Sequence, residues 1–253
     1  MIDLATLLVE EVQALLRPAT LVFLRVGAAM AILPGFGEQS IPARIRLAVA
    51  LGFTAVILPA VADRYDGGEI LLPAAAEVLA GLLIGLSLRL LILALQTAAS
   101  IAAQSASLSQ FFASAGSEPQ PALGILFILA ATALALEAGL HVKLAAFFIL
   151  SFDVLPAGRF VAGADVRDWG VEHVARVTAL AFSLALPFVI AALLWNIALG
   201  AVNRAMPQLM VAFIGAPALS LGALVLTAVL TPLILGIWLR ALDAQLAAPF
   251  APG

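Results

Sequence analysis

VNRAMPQLMVAFIGAP, residues Val202–Pro217, sets an arginine, a proline and a glutamine into a long apolar tract. No charged residue occurs from Val177 to Asn203, nor from Ala205 to Leu239. As one straight helix the second run would reach about 52 Å. Two such runs joined by a short polar insertion are expected to form a hairpin of long helices. Asn203 and Arg204 offer donors for the last carbonyls of the first helix, Pro207 suits the start of the next, and Gln208 can bond exposed backbone at the turn. The plainer reading is a tight membrane hairpin with no further role, since such turns use these residue types anyway. Pro217 and Pro232 are expected to kink or divide the second helix.

The rest of the chain is equally apolar. Of 253 residues 64% are hydrophobic and 11% charged, and the mean hydropathy is +1.17, far outside soluble globular proteins. The chain is therefore expected in a bilayer. About 20 apolar residues cross a hydrocarbon core, so the length accommodates roughly six helical crossings and no large extramembrane domain. A net charge of -3 without a basic run argues against nucleic acid as a partner. The absence of cysteine excludes disulfides and thiolate sites. The opening residues carry Asp3, Glu10 and Glu11 instead of a basic leader, so no removable signal peptide is expected.

Apolar segments lie near 18–33, 45–62, 71–99, 119–152, 174–201 and 205–239. All are read as helical, because lipid tolerates only helices and closed barrels, and these runs lack the alternation of barrel strands. The early ones are awkward. Pro18 and Pro34 bracket a first segment of about 24 Å with Arg25 at its middle, and Pro59 ends a second of about 21 Å. Glu77 and Arg89 lie in the third, and Glu137-Ala-Gly-Leu-His-Val-Lys143 breaks the fourth. An ionised residue facing acyl chains at mid-membrane costs roughly 2.5–3.5 kcal/mol, so Arg25, Arg89, Glu137 and His141 are candidate buried charges that face protein or water. Gly81 and Gly85 in GLLIG, with the alanines of residues 48–55 and 129–139, permit close helix packing, within the chain or against a neighbour. Short, charge-bearing segments suggest a subunit completed by others.

Gln96, Ser100, Gln104 and Ser107 share one helix face. They lead into residues 108–122, where Phe111, Phe112, Gly116 and Pro119 make a loop suited to lining or closing a watery space. An ordinary loop with docked phenylalanines is the alternative. Enzyme readings fare badly: the two histidines, His141 and His173, stand in no HExxH pattern, and neither GxSxG nor a P-loop occurs. No cofactor is expected. Glu137 and His141, four apart, suit either a proton relay or a local bond at a helix break.

Five motifs in order resemble the FliR family of flagellar biosynthesis proteins and their counterparts in type III secretion injectisomes. They are LGAVNRAMPQLMVAFIGAP with Gly200, Arg204, Pro207, Gln208, Phe213, Gly215 and Pro217; the block 28–59 with Pro34, Gly37, Pro42, Arg44, Arg46 and Pro59; GLLIGLSLRLL at 81–91; the polar stripe; and 137–158 with Gly139, His141, Ser151, Pro156 and Gly158. Ser105 and Ser107 stand where the family usually has a glycine, and Leu209 and Met210 depart from its usual continuation. The resemblance implies an all-α membrane protein of helical hairpins that pack in a hetero-oligomeric channel. It implies a single export-gate domain over 1–253, with an N-terminal helical region, residues 1–173, carrying a plug-like loop 104–121, and a long hairpin 174–242. Gln104, Phe111, Phe112, Gly116 and Pro119 become candidate gate residues; Gly200, Arg204, Pro207, Gln208, Gly215 and Pro217 become candidate hairpin or assembly residues. Implied partners are export-gate subunits of the FliP, FliQ and FlhB types and unfolded exported proteins, at the bacterial inner membrane within the flagellar basal body. The alternative class is a self-contained proton-coupled transporter using Arg25, Arg89, Glu137 and His141 at mid-membrane.

Overall fold

In a computed structural model that describes residues 2–33, 41–65, 69–107, 122–205, 211–248 and 250, the apolar segments are helices, and no strand occurs among the described residues. The order is α1 (Ile2–Ile32), α2 (Ala43–Val61), a 3-10 turn (Ala62–Arg64), α3 (Leu71–Ser107), α4 (Ala122–Glu137), α5 (Leu140–Val154), α6 (Gly163–Ala205) and α7 (Val211–Ala247). Five of these are long and apolar enough to cross a membrane, or up to six if the bent α4–α5 pair counts as one span. The chain is an all-α membrane protein.

Three sequence expectations about helix ends need correction. Pro18 does not open the first helix: it is buried inside α1, which continues to Ile32. Likewise Pro59 lies inside α2, which runs on to Val61. Of the two outcomes expected at Pro217 and Pro232, a kink or a division, division does not occur, because α7 is one helix of 37 residues. A proline inside a helix costs one backbone hydrogen bond and about 3 kcal/mol, a penalty that dense apolar packing on neighbouring helices outweighs. The break expected near Glu137 is present. Gly139 adopts φ 80, a left-handed conformation open to glycine, and its carbonyl accepts from the Val142 and Lys143 amides as α5 begins.

Two compact units form. The first comprises Met1–Leu90, Leu136–His173 and Leu242–Gly253; the second comprises Leu91–Ala135 and Val174–Ala241. In the first, Leu21, Val26, Ile57, Ile84, Phe147 and Phe148 are fully buried or nearly so, and Phe53 meets Phe148 edge-on with centroids 6.2 Å apart. In the second, Leu95, Phe127, Ala131, Leu184, Phe188 and Trp238 are buried, and the Trp238 indole N–H donates to the Leu91 carbonyl at 2.9 Å. That bond satisfies the only polar atom of a large buried side chain.

Many large apolar side chains are also exposed. On α6, Phe182, Leu186, Ile190, Leu193 and Ile197 form an exposed stripe at helical spacing, and Leu221, Val225, Val229 and Leu233 do the same on α7. Continuous stripes of this kind are absent from water-exposed monomers and require lipid or protein cover. Length points the same way: α6, with 43 residues, spans about 65 Å and α3 and α7, with 37 each, about 55 Å, against a hydrocarbon core of about 30 Å.

Candidate functional site

The polar centre of the first unit is built on Arg25. Leu21 and Ala29, one turn to either side, are wholly buried, so their helix face carries Arg25 inward and leaves it 1% exposed. Its Nε donates to Glu77 Oε2 at 2.5 Å and its Nη2 to Glu77 Oε1 at 3.2 Å, a forked pair across α1 and α3. Nη1 donates to Ser151 Oγ at 3.2 Å and Nη2 also to the Leu155 carbonyl at 2.9 Å, which ties in the end of α5. The guanidinium carbon lies 3.7 Å from the centroid of the Phe152 ring. Glu77, wholly buried, accepts a further 2.7 Å bond from the Gly158 amide.

Glycines make this closure possible. A Cβ at Gly81 would stand 2.1 Å from the Arg25 carbonyl oxygen, and one at Gly85 would stand 2.7 Å from that of Ala29, so α3 seats its backbone directly on α1. The close packing expected of GLLIG is thus met inside the chain. Gly158, at φ 65, brings its amide to Glu77 while packing on Pro73. Tyr65 meets Phe152 edge-on, and its buried hydroxyl has no hydrogen-bond partner. Burial foremost, then the Glu77 carboxylate, push the Tyr65 hydroxyl well above its ordinary range, against a smaller pull from Arg25. It stays neutral at any working pH. At the rim, Arg64 pairs with Asp153 at 2.6 Å, both partly exposed.

Chemically the cluster is closed. The charges of Arg25 and Glu77 neutralise each other and their hydrogen bonds reach Ser151, Leu155 and Gly158, so the pair acts as a lock among α1, α3, α5 and the turn after α5. Among the described residues no group of three His, Asp or Glu side chains is arranged to hold a metal.

Of the four candidate buried charges, only Arg25 is buried. Arg89, Glu137 and His141 are exposed on this chain. Arg89 shares an outer face of α3 with exposed Leu86 and Leu93, while Glu137 and His141 flank the α4–α5 break, where helix ends leave backbone groups open. The partners of Arg25 include none of the other three. Along the polar stripe of α3, Gln96 and Ser100 are half-buried and Gln104 is exposed. Gly200 and Arg204 are exposed near the end of α6, which stops at Ala205, so Arg204 lies in its last turn, where a cation complements the helix dipole. Gly215 and Pro217 fall within the first turns of α7. Phe111, Phe112, Gly116, Pro119, Pro207 and Gln208 lie outside the described residues.

Sequence reading missed Glu77 as the partner of Arg25. Ser151 and Gly158 were noticed only as motif residues, and the structure brings both to that ion pair. Residues 17–245 match the family described as "Bacterial export proteins, family 1". The chain is 33% identical to the flagellar biosynthetic protein FliR of Caulobacter vibrioides over 212 residues, 79% of this chain and 82% of the relative. The chain belongs to the FliR family of bacterial export proteins. A second member, the flagellar biosynthetic protein FliR of Escherichia coli K12, is 29% identical over 220 residues, 83% of each chain. The Arg25 lock of this FliR-family chain, from Arg25 to Gly158, falls wholly within the matched span.

Proposed function

We propose that this chain is a non-enzymatic channel subunit of the flagellar type III protein export gate. It sits in the bacterial inner membrane within the flagellar basal body and acts as one export-gate unit. It assembles with membrane subunits of the FliP, FliQ and FlhB types to pass unfolded flagellar proteins. Family membership and the flagellar biosynthetic names of its relatives support the setting.

The observation that carries the assembly is Arg89. It stands at the middle of α3, exposed among leucines, with no ion-pair or hydrogen-bond partner among the described residues. Facing acyl chains there would cost roughly 2.5–3.5 kcal/mol, whereas a neighbouring subunit or a watery passage removes the penalty. A self-contained carrier would gather Arg25, Arg89, Glu137 and His141; one is locked in an ion pair and three are scattered on the surface.

The test is co-purification of the tagged full chain from its native membrane. Subunits of the three partner types are expected with the parent. Arg89→Glu and Arg204→Ala are each expected to lower their recovery at least threefold with membrane insertion intact. Full recovery with both variants refutes the assembly role of these residues. Solute transport by the purified chain alone in liposomes refutes the gate.

A further inference from the structure

The outer face of α3 repeats at every seventh residue. Leu72, Leu79, Leu86 and Leu93 are all exposed, with Leu82 and Arg89 exposed at the intervening three-and-four spacing. Strict spacing of this kind keeps one line of side chains against a neighbouring helix in a left-handed crossing of about 20°. The line is also recessed. Ile84, Leu88 and Leu91, which lie between its members, are buried, and Leu79, Leu82, Leu86 and Leu93 are 37–49% exposed, against 55–69% for the stripe Leu221, Val225, Val229 and Leu233 of α7. A seam one side chain wide with buried flanks suits the knobs of a single facing helix.

Charge selects which helix. Arg89 has no hydrogen-bond or ion-pair partner among the described residues, so the seam carries one cation in want of an acid. A second copy of this chain laid seam to seam brings none: Glu77, the one acidic residue of α3, is wholly buried and paired with Arg25, and a parallel self-pair sets Arg89 against Arg89. Lipid serves no better. Arg89 lies near the middle of the apolar span Leu71–Ser105, and with a hydrocarbon core of about 30 Å centred there, headgroups stand about 15 Å away, beyond an extended arginine. We propose that the seam packs against one transmembrane helix of a different polypeptide, which runs along α3 in left-handed contact and presents an Asp or Glu carboxylate to Arg89. The inference rests on the assembly reading above and narrows it to a partner of stated chemistry. Leucines supply the contact area, and the single ion pair fixes the register, as one polar residue in an apolar seam does in coiled coils.

The test uses the full chain in its native membrane. A photoreactive benzophenone amino acid replaces Leu79 or Leu86, the membrane is irradiated, and cross-linked peptides are mapped by mass spectrometry after purification. Both positions are expected to capture the same helix of another chain, at sites about seven residues apart, with an Asp or Glu within one turn of the site reached from Leu86. Arg89→Leu should lower the yield from Leu86 at least fivefold, and Arg89→Lys should retain at least half of it. Arg89→Glu should lower it as far, and reversing the captured carboxylate to arginine in that background should restore it to within twofold of the parent. Capture of a second copy of this chain, adducts with lipid alone, a captured helix without a carboxylate, or an Arg89→Glu loss that the reversal leaves unrepaired each overturns the seam. Failure of the assembly reading has a different signature. Partner subunits that co-purify with every variant while capture fails leave the assembly standing and overturn only the α3 contact, whereas a parent chain that co-purifies with no partner removes both.

Discussion

Adding one methyl group at Gly81 probes whether α1 and α3 touch as closely as described. The new Cβ would stand 2.1 Å from the Arg25 carbonyl oxygen and 2.9 Å from the Ala28 Cβ, both fixed to the α1 backbone. No side chain can rotate away, so α1 must retreat by roughly 1 Å to restore a carbon–oxygen contact. The retreat also strains the forked Arg25–Glu77 bonds on the same turn. Overpacking of this severity costs about 3 kcal/mol, the top of the usual range, and alanine returns about 1 kcal/mol through helix propensity. The net loss of about 2 kcal/mol lowers Tm by about 4–8 °C for a chain of this size. Gly85→Ala, with a 2.7 Å approach to the Ala29 carbonyl, should fall in the same direction by less. Gly52→Ala is the control: nothing lies within 4 Å of its Cβ, so propensity alone acts and Tm should rise by about 2–4 °C. Thermal unfolding in lipid nanodiscs by circular dichroism measures all three. A Gly81→Ala chain that melts with or above the parent refutes the close approach and the account of why glycine stands there.

Three more outcomes follow from the same cluster and its surroundings. Glu77→Gln leaves the buried Arg25 charge uncompensated and should cost about 3–5 kcal/mol, while Arg25→Met with Glu77→Leu should recover most of that loss; a double-mutant cycle in nanodiscs reads the coupling. Tyr65 is the chain's sole tyrosine, so tyrosinate absorbance reports it alone. Because folding raises its pKa above the ordinary 10.0, the unfolded chain releases the proton first, and stability should fall as pH rises past about 10. At the same alkaline pH folded protein should show less tyrosinate than unfolded protein, and equal absorbance would refute the raised pKa. Lys143→Met breaks a 2.7 Å bridge to Asp243 whose partners are 37% and 43% exposed, so the loss should stay below about 1 kcal/mol.

Much of the fold was legible because lipid removes alternatives: an apolar run in a bilayer must be a helix or a barrel strand. Helix ends were less legible. Proline rules are local, and they misplaced the start of α1 and the end of α2, because the cost of an interior proline is met by contacts that no window of sequence contains. The break at Gly139 was readable for the opposite reason: a left-handed residue is a local demand that glycine meets locally. At the polar centre the arginine was legible and its partner was not. Both charges stand out in apolar segments, but Glu77 lies 52 residues from Arg25, a separation over which nothing local in the sequence pairs them. Close packing of α3 on α1 at Gly81 and Gly85 brings the two elements together beside the pair.

Arg25 and Arg89 separate two jobs that sequence reading had merged. Both are single cations in apolar helices, and both were expected to be sheltered. Arg25 is sheltered by its own chain, through hydrogen bonds to Glu77, Ser151 and Leu155 and the face of the Phe152 ring, which leave nothing for a neighbour to do. Arg89 has the opposite environment: leucines beside it, no acid opposite among the described residues, and the middle of a helix about 55 Å long. A fold that satisfies one arginine so completely has the means to satisfy another. That Arg89 is left outside, among exposed leucines of α3, supports placing the proposed partner contact on the outer face of that helix and not at the buried ion pair. Substitutions at Arg25 should therefore lower the stability of the chain itself, and substitutions at Arg89 should leave that stability within about 0.5 kcal/mol while changing what the chain assembles with. An Arg89 variant that unfolds the lone chain, or an Arg25 variant that folds normally and loses only its partners, would reverse this assignment.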